Sequence, residues 1–433
     1  MHRSMTHRRS RAVATLATAA ALALTLTACT QGSATNSDPA PAAGATDGAQ
    51  EPVTVRYLNF SANDGHEADL DALVTAFQDA NPDVVVEVET LPYADYFTAL
   101  QTAVAGGTVA DAFELNYENF VTYATNGALA ELEGVDGAAY KESLLDAFTL
   151  DGTQFGLPES FSNVVLFYNA GLFEAAGVEA PTADWTWAEE KAAAEALTDT
   201  AAGVWGDYQP ISFHEFYKTL AQAGGEFFNA DKTEATFAGP EGVAAATWLV
   251  GKSGTTMPTE ADGAGSPDFD STLFMDGKLA MWHTGIWMFG GVGAVEGLDW
   301  DIAVEPGSTT KASAMFTNGV VVSATSEVKD AAQQWVEFLT SSDEMVQTRL
   351  DTSWELPPVA DESKVAAYLD VTPPANRQAV FDSLDAVVLP PVIESQQEMQ
   401  DIVSEELGNA AAGRKPVEQA LNDAQDRVNA LLG

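Results

Sequence analysis

Apolar residues recur along this chain at two spacings, and the switches between them mark out its elements. Val53-Thr-Val-Arg-Tyr-Leu-Asn-Phe60 alternates and is rich in β-branched residues, which predicts a strand. Leu70, Leu73, Val74 and Phe77 then fall at i, i+3, i+4 and i+7, one face of a helix that Asn81-Pro82 ends. Val84 to Val88 is a second strand, more continuously apolar, as buried parallel strands are. Strand, helix and strand in this order make a βαβ unit with a right-handed crossover. Residues 94–105 have a helical pattern again and Ala110 to Leu115 is a short strand. The fold class expected is α/β, of the doubly wound kind.

The same spacings continue. Gly156-Leu-Pro158 reads as a turn before a buried strand, Val164 to Tyr168, and Asn169 starts a helix. Ala-rich helical stretches run over 188–197 and 242–250, and Gln209 to Phe213 reads as a strand. Strands are expected at Lys278–Trp282, Trp300–Val304 and Thr317–Ser323, and amphipathic helices at Lys329–Leu339 and Pro416–Leu432. Lys278–Trp282 puts Trp282 in a sheet, His283-Thr-Gly285 in a turn at its carboxyl end, and Trp287 just beyond.

The first residues break this pattern. Arg3, Arg8, Arg9 and Arg11 precede an uncharged run, Ala12 to Ala28, shorter than the ~20 residues that span a membrane. A basic segment, an apolar run and small residues make a secretory signal, 1–28. Leu26-Thr27-Ala28-Cys29 resembles a bacterial lipobox, which makes Cys29, the only cysteine, the lipidated first residue of the mature chain. Residues 29–52 carry almost no bulky apolar side chain and read as a flexible tether. The expected location is the cell surface, lipid-anchored to the outer face of the cytoplasmic membrane. The remaining ~380 residues exceed what one core usually supports, so two domains are expected.

Charge narrows the ligand. The chain has 19 basic and 64 acidic residues, and the leader takes four of the former and none of the latter, leaving a formal −49. A field of that sign repels nucleic acid and disfavours anionic ligands. Catalytic signatures are missing as well. Gly251-Lys-Ser253 has Ala246 where a phosphate loop needs glycine, and Gly291-Val-Gly-Ala-Val-Glu296 fails the dinucleotide fingerprint at its last position. Asn63-Asp-Gly-His-Glu67 reads as a helix-capping turn rather than a metal loop. No cofactor or metal is expected.

Six segments in order carry a resemblance. They are Phe77-Gln-Asp-Ala-Asn-Pro-Asp83; Ala110-Asp-Ala-Phe113; Gly156-Leu-Pro158 leading to Phe167-Tyr-Asn169; Ala223-Gly-Gly225; Phe274-Met-Asp-Gly-Lys-Leu-Ala-Met281 with Gly285-Ile-Trp287; and Ala331 to Thr340. Behind a lipobox and tether, they resemble the extracellular solute-binding lipoproteins of ATP-binding-cassette sugar importers, the family that includes maltose-binding protein. That resemblance implies a two-lobed, periplasmic-binding-protein-like fold. Its N-terminal lobe would be 53–160 plus 319–358 and its C-terminal lobe 161–318 plus 359–433. It implies a non-enzymatic monomer that takes a neutral mono- or oligosaccharide to the importer's permease subunits.

Ligands of open α/β sheets bind beyond the carboxyl ends of the strands. That rule selects Asn63 and Asp64, Asn116, Glu159, His214, and Asn318, with Trp287 and Trp354 as aromatic walls. The resemblance adds weight to Asp64, Asn116, Glu159, His214 and Trp287. Each has a plainer reading: a helix cap for Asn63 and Asp64, a turn for Asn116, a solvated loop acid for Glu159. His214 could pack in the core, Asn318 could satisfy hinge backbone, and Trp354 could fill an interlobe contact. Aromatic faces and a polar rim suit a sugar. A cationic amine would also be served by acids and aromatics, and a secreted glycoside hydrolase would need a pair of positioned carboxylates.

Overall fold

The computed structural model describes residues 52–432, except Pro267, Ser353 and the side chains of Asp64 and Ala94. The signal segment, Cys29 and the tether through Glu51 lie outside the described residues. Among those described, no helix is long and apolar enough to cross a membrane.

The first part alternates as its periodicity requires: β1 (Val53–Asn59), α1 (Glu67–Ala80), β2 (Val84–Thr90), α2 (Tyr93–Gly106), β3 (Ala112–Asn116) and α3 (Tyr117–Thr125). β1 pairs in parallel with β2 on one side and β3 on the other. Leu70, Leu73 and Phe77 are the buried face of α1.

The chain then runs through β4 (Gly156–Asn169), α4 (Trp187–Leu197), α5 (Phe213–Gln222), α6 (Pro240–Lys252), β5 (Met281–Gly285), β6 (Trp300–Ala303) and β7 (Ser313–Val322). Helices α7 (Lys329–Ser341), α8 (Asp343–Thr352), α9 (Gln396–Ala411) and α10 (Val417–Leu431) complete it. The strand order is β2-β1-β3-β7-β4-β5, with β6 also on β4.

Two long antiparallel strands join the lobes. The first half of β4, Gly156 to Asn163, pairs with β7, while Val164 to Asn169 pairs with β5 and β6. The second half of β7 pairs with β3. Apolar packing follows this route: Phe161 meets Phe381, and Phe167 stacks on Trp300 and lies against Trp282.

Three expectations change. Gly156-Leu-Pro158 is not a turn but the start of the buried strand β4. Pro158 is accommodated because the register shifts between Pro158 and Ser160, a bulge where a missing N–H is tolerated. Gln209 to Phe213 is not a strand, because Ser212 caps α5 by accepting from the Glu215 amide at 3.3 Å. The strand expected at Lys278–Trp282 lies three residues later, at Met281–Gly285. The backbone turns at Gly277 (φ 68°), and pairing with β4 begins only at Met281 opposite Tyr168. His283 and Thr284 are therefore strand residues rather than a turn, and both are buried.

Candidate functional site: a cleft between the lobes

Asn116 closes β3 and caps α3. Its side-chain oxygen accepts from the Asn119 amide (3.1 Å), and its amide donates to the Tyr93 hydroxyl (3.2 Å). The cap fixes the first turn of α3, and with it Glu118. The Glu118 carboxylate accepts from the side-chain amides of Gln396 (3.3 Å) and Gln400 (3.0 Å) on α9 and lies 3.7 Å from His214 Nε2 on α5. The His214 ring lies 5.7 Å from Phe316, which meets Trp287 edge-on at 5.5 Å. An unbroken chain of contacts thus runs from Tyr93 on one lobe to Trp287 on the other.

The two ends of this chain are distinctive. Among the described residues, the exposed large aromatics are Tyr93 (57%) and Trp287 (54%). Trp287 is held by local geometry: its ring lies over Gly285, where a Cβ would run into it. Gly285 is needed for that room, not for a bend, since its backbone is extended. Charge also concentrates here. Burial, and then the Glu118 carboxylate, push the hydroxyls of Tyr93, Tyr117 and Tyr217 up, keeping all three neutral donors.

Of the sequence candidates, Asn116, His214 and Trp287 therefore belong to one surface, and Asn318 stands beside Asn116 in the β3–β7 ladder. Asn318 also reaches Glu355 at 3.5 Å. Asn63 lies half-buried in the single turn Ser61–Asp64 that follows β1, and Asp64 ends that turn. The N-cap position of α1 is His66.

Glu159 and Trp354 lie inside the N-terminal lobe. Arg349 donates to Glu159 (2.7 Å) and to the Trp354 carbonyl (2.6 Å), its guanidinium stands 4.6 Å over the Trp354 ring, and His66 stacks on that ring at 5.0 Å. Glu114 completes the group by accepting from the Phe60 and Ser61 amides, each at 3.0 Å. Burial pushes the Glu159 carboxyl up to about 7, against the pull of Arg349 and with the push of Glu355. Glu114 is raised too, by burial and then by Glu159. Glu114 Oε1 and Glu159 Oε2 are buried without a hydrogen-bond partner, and the raised carboxyls favour the protonated form there.

His283 sits in a second buried network. Its Nδ1 meets Glu305 (3.0 Å) and its Nε2 meets Glu190 (3.0 Å) and Asp207 (3.3 Å), so both ring nitrogens donate and the ring is an imidazolium. Burial disfavours that charge, but Glu305, Glu190 and Asp207 outweigh it and hold its pKa well above the ordinary value. Lys218 bonds Glu305 (2.6 Å) and Glu215 (2.7 Å). Glu190, Asp207 and His283 have the spacing of metal ligands, but Lys252 Nζ lies 2.5 Å from both acids and supplies the cation. Concavities beside Lys141 and Asp382 (about 490 Å³) and beside Phe77 and Phe338 (about 390 Å³) contain none of the cleft groups.

Sequence reading passes over Tyr93, Gln396 and Gln400. The i, i+4 glutamines at the start of an amphipathic helix were a usable signal, but their partner Glu118 lies far away in sequence.

Two α/β lobes joined by paired crossings, with polar groups and exposed aromatics meeting between them, define a ligand-binding receptor of the periplasmic-binding-protein kind. The chain belongs to the bacterial extracellular solute-binding proteins, whose family model matches residues 72–371. An ABC substrate-binding protein of Listeria monocytogenes, solved in complex with cycloalternan, is 43% identical. It covers 88% of this chain and 99% of its own, with a TM-score of 0.77. The diacetylchitobiose binding protein of Streptomyces coelicolor is 27% identical over 69% of this chain and 71% of its own length. The fold alone is shared with the sugar-binding protein MalE of Xanthomonas citri: TM-score 0.78, 20% identity, 88% of this chain and 97% of that one.

Proposed function

We propose that this chain is a sugar-binding receptor of an ABC importer, taking a neutral oligosaccharide between its lobes and delivering it to the permease. The observation that carries the reading is the pair of exposed aromatics, Tyr93 and Trp287, at the ends of one polar chain of contacts. Aromatic rings cover the C–H faces of sugars, while Asn116, Glu118, His214 and Gln400 can exchange hydrogen bonds with the hydroxyl rim. Relatives that bind cycloalternan and diacetylchitobiose support the ligand class. The receptor works by binding alone, not by glycoside hydrolysis.

The lobe boundaries that fit this role are 160/161 on β4, 318/319 on β7 and 358/359 beyond α8. Delivery by a surface-held receptor fits an anchor at Cys29, and metabolic labelling with a radioactive fatty acid should be abolished by Cys29→Ser. A thermal-shift screen against neutral sugars tests the ligand class. A bound sugar raises apparent stability, and the reading fails if no member of a broad panel, cycloalternan and diacetylchitobiose included, shifts the transition.

A further inference from the structure

The bonds made by Glu118 join the two lobes away from their covalent crossings. The carboxylate leaves the first turn of α3, which packs on β3 and β7, and ends among donors of α9 and α5. Those donors are held ready by their own lobe. The Gln396 side chain accepts from the Ile393 amide (3.1 Å) and donates to the Pro391 carbonyl (3.1 Å), so its amide is already oriented when Glu118 arrives. The buried Tyr217 hydroxyl, which has no hydrogen-bond partner, lies in the field of the same carboxylate.

We propose that Glu118 is the latch of the closed receptor: a positioning residue whose bonds to Gln396 and Gln400 set how much of the ligand-free protein is closed. The proposal rests on the receptor reading for its purpose. Opening the cleft returns Glu118 to water and breaks charge-assisted bonds that are only partly solvated, since its side chain is 23% exposed. Closure needs no ligand to begin, and the ligand adds to an equilibrium the latch has already biased.

The test needs no sugar, so its failure is distinct from failure of the ligand class. In a Cys29→Ser background, which removes the chain's single cysteine, nitroxides at Thr98→Cys on α2 and Asn422→Cys on α10 report the interlobe distance by double electron–electron resonance. Both positions are exposed. Glu118→Ala should lower the closed fraction of the ligand-free protein about fivefold, and Glu118→Gln, which keeps an acceptor, should recover part of it. Gln396→Ala with Gln400→Ala tests the other half of the latch and should give the same shift. Unchanged distance distributions in the alanine variants would overturn the proposal.

Discussion

Both lobes bury carboxylates behind the cleft, and the two groups solve the problem in opposite ways. In the N-terminal lobe the buried Glu114 and Glu159 lie together with one cation bonded to the pair, Arg349 on Glu159. With too few positive charges in reach, Glu114 and Glu159 are pushed up and a proton makes good the deficit. In the C-terminal lobe Glu190, Asp207, Glu215 and Glu305 are met by Lys218, Lys252 and the His283 imidazolium. There burial alone would raise the acids as well, but Lys252 and His283 drive Asp207 down, and His283 and Lys218 hold Glu305 at about 2. Desolvation is common to both sites, so the number of cations within bonding distance decides whether a buried acid is charged.

The contrast is sharpest in substitutions that remove one cation. Lys252→Met leaves Glu190 and Asp207 with His283 as their one bonded cation and should cost ~3–5 kcal/mol, read as a lower urea midpoint. Arg349→Met should cost less, about 2 kcal/mol, because Glu159 can stay protonated, and the loss should shrink further at pH 5. Equal, pH-independent losses for the two variants would break the comparison.

The pH dependence follows with its sign. The folded pKa of His283 is raised, so its contribution is full below its unfolded value of about 6.5 and is lost as pH climbs from there. Glu159, raised to about 7, holds a proton the unfolded chain loses near 4.5, so it too lowers stability as pH rises between those values. Asp207 and Glu305 are depressed, and their contribution is lost as pH falls below about 4. Melting temperature should therefore peak near pH 4.5, decline from there to about pH 6.5 as Glu159 gives stability back, and fall more steeply above it as His283 joins. Glu159→Gln should flatten the alkaline side of that peak while changing stability by less than about 1 kcal/mol at pH 7.

The smallest effect on stability belongs to the cleft itself. Gly285→Ala should displace the exposed Trp287 ring and weaken sugar binding several-fold, visible as altered tryptophan emission, with little change in melting temperature.

Much of this was legible in the sequence. Periodicity located α1, β2 and α2 because each buries a single face, and β1 because only Leu58 breaks its alternation. The strand-end rule led to Asn116 and Trp287, which do stand at the ends of β3 and β5; His214 was reached behind a strand that is instead the approach to α5, and Asn318 lies within β7 rather than at its end. Glu159 and Trp354 look the same in sequence as cleft residues, because the partner that buries them, Arg349, arrives from α8, far along the chain. Trp282 and Trp287 differ in burial: the first is buried at 2% exposure with its indole nitrogen 3.1 Å from Asp270, and the second is 54% exposed. The role of His283 was hidden, since its partners come from three distant segments and no local pattern announces a charged histidine in a core strand.

Calorimetric titration of the wild type and Trp287→Ala with a neutral oligosaccharide identified by the thermal screen tests the cleft most directly. Loss of one stacking face should weaken binding at least about tenfold, equivalent to ~1.4 kcal/mol, with the melting temperature of the free protein unchanged. Equal affinity in the two proteins would place the sugar somewhere other than the surface between Tyr93 and Trp287.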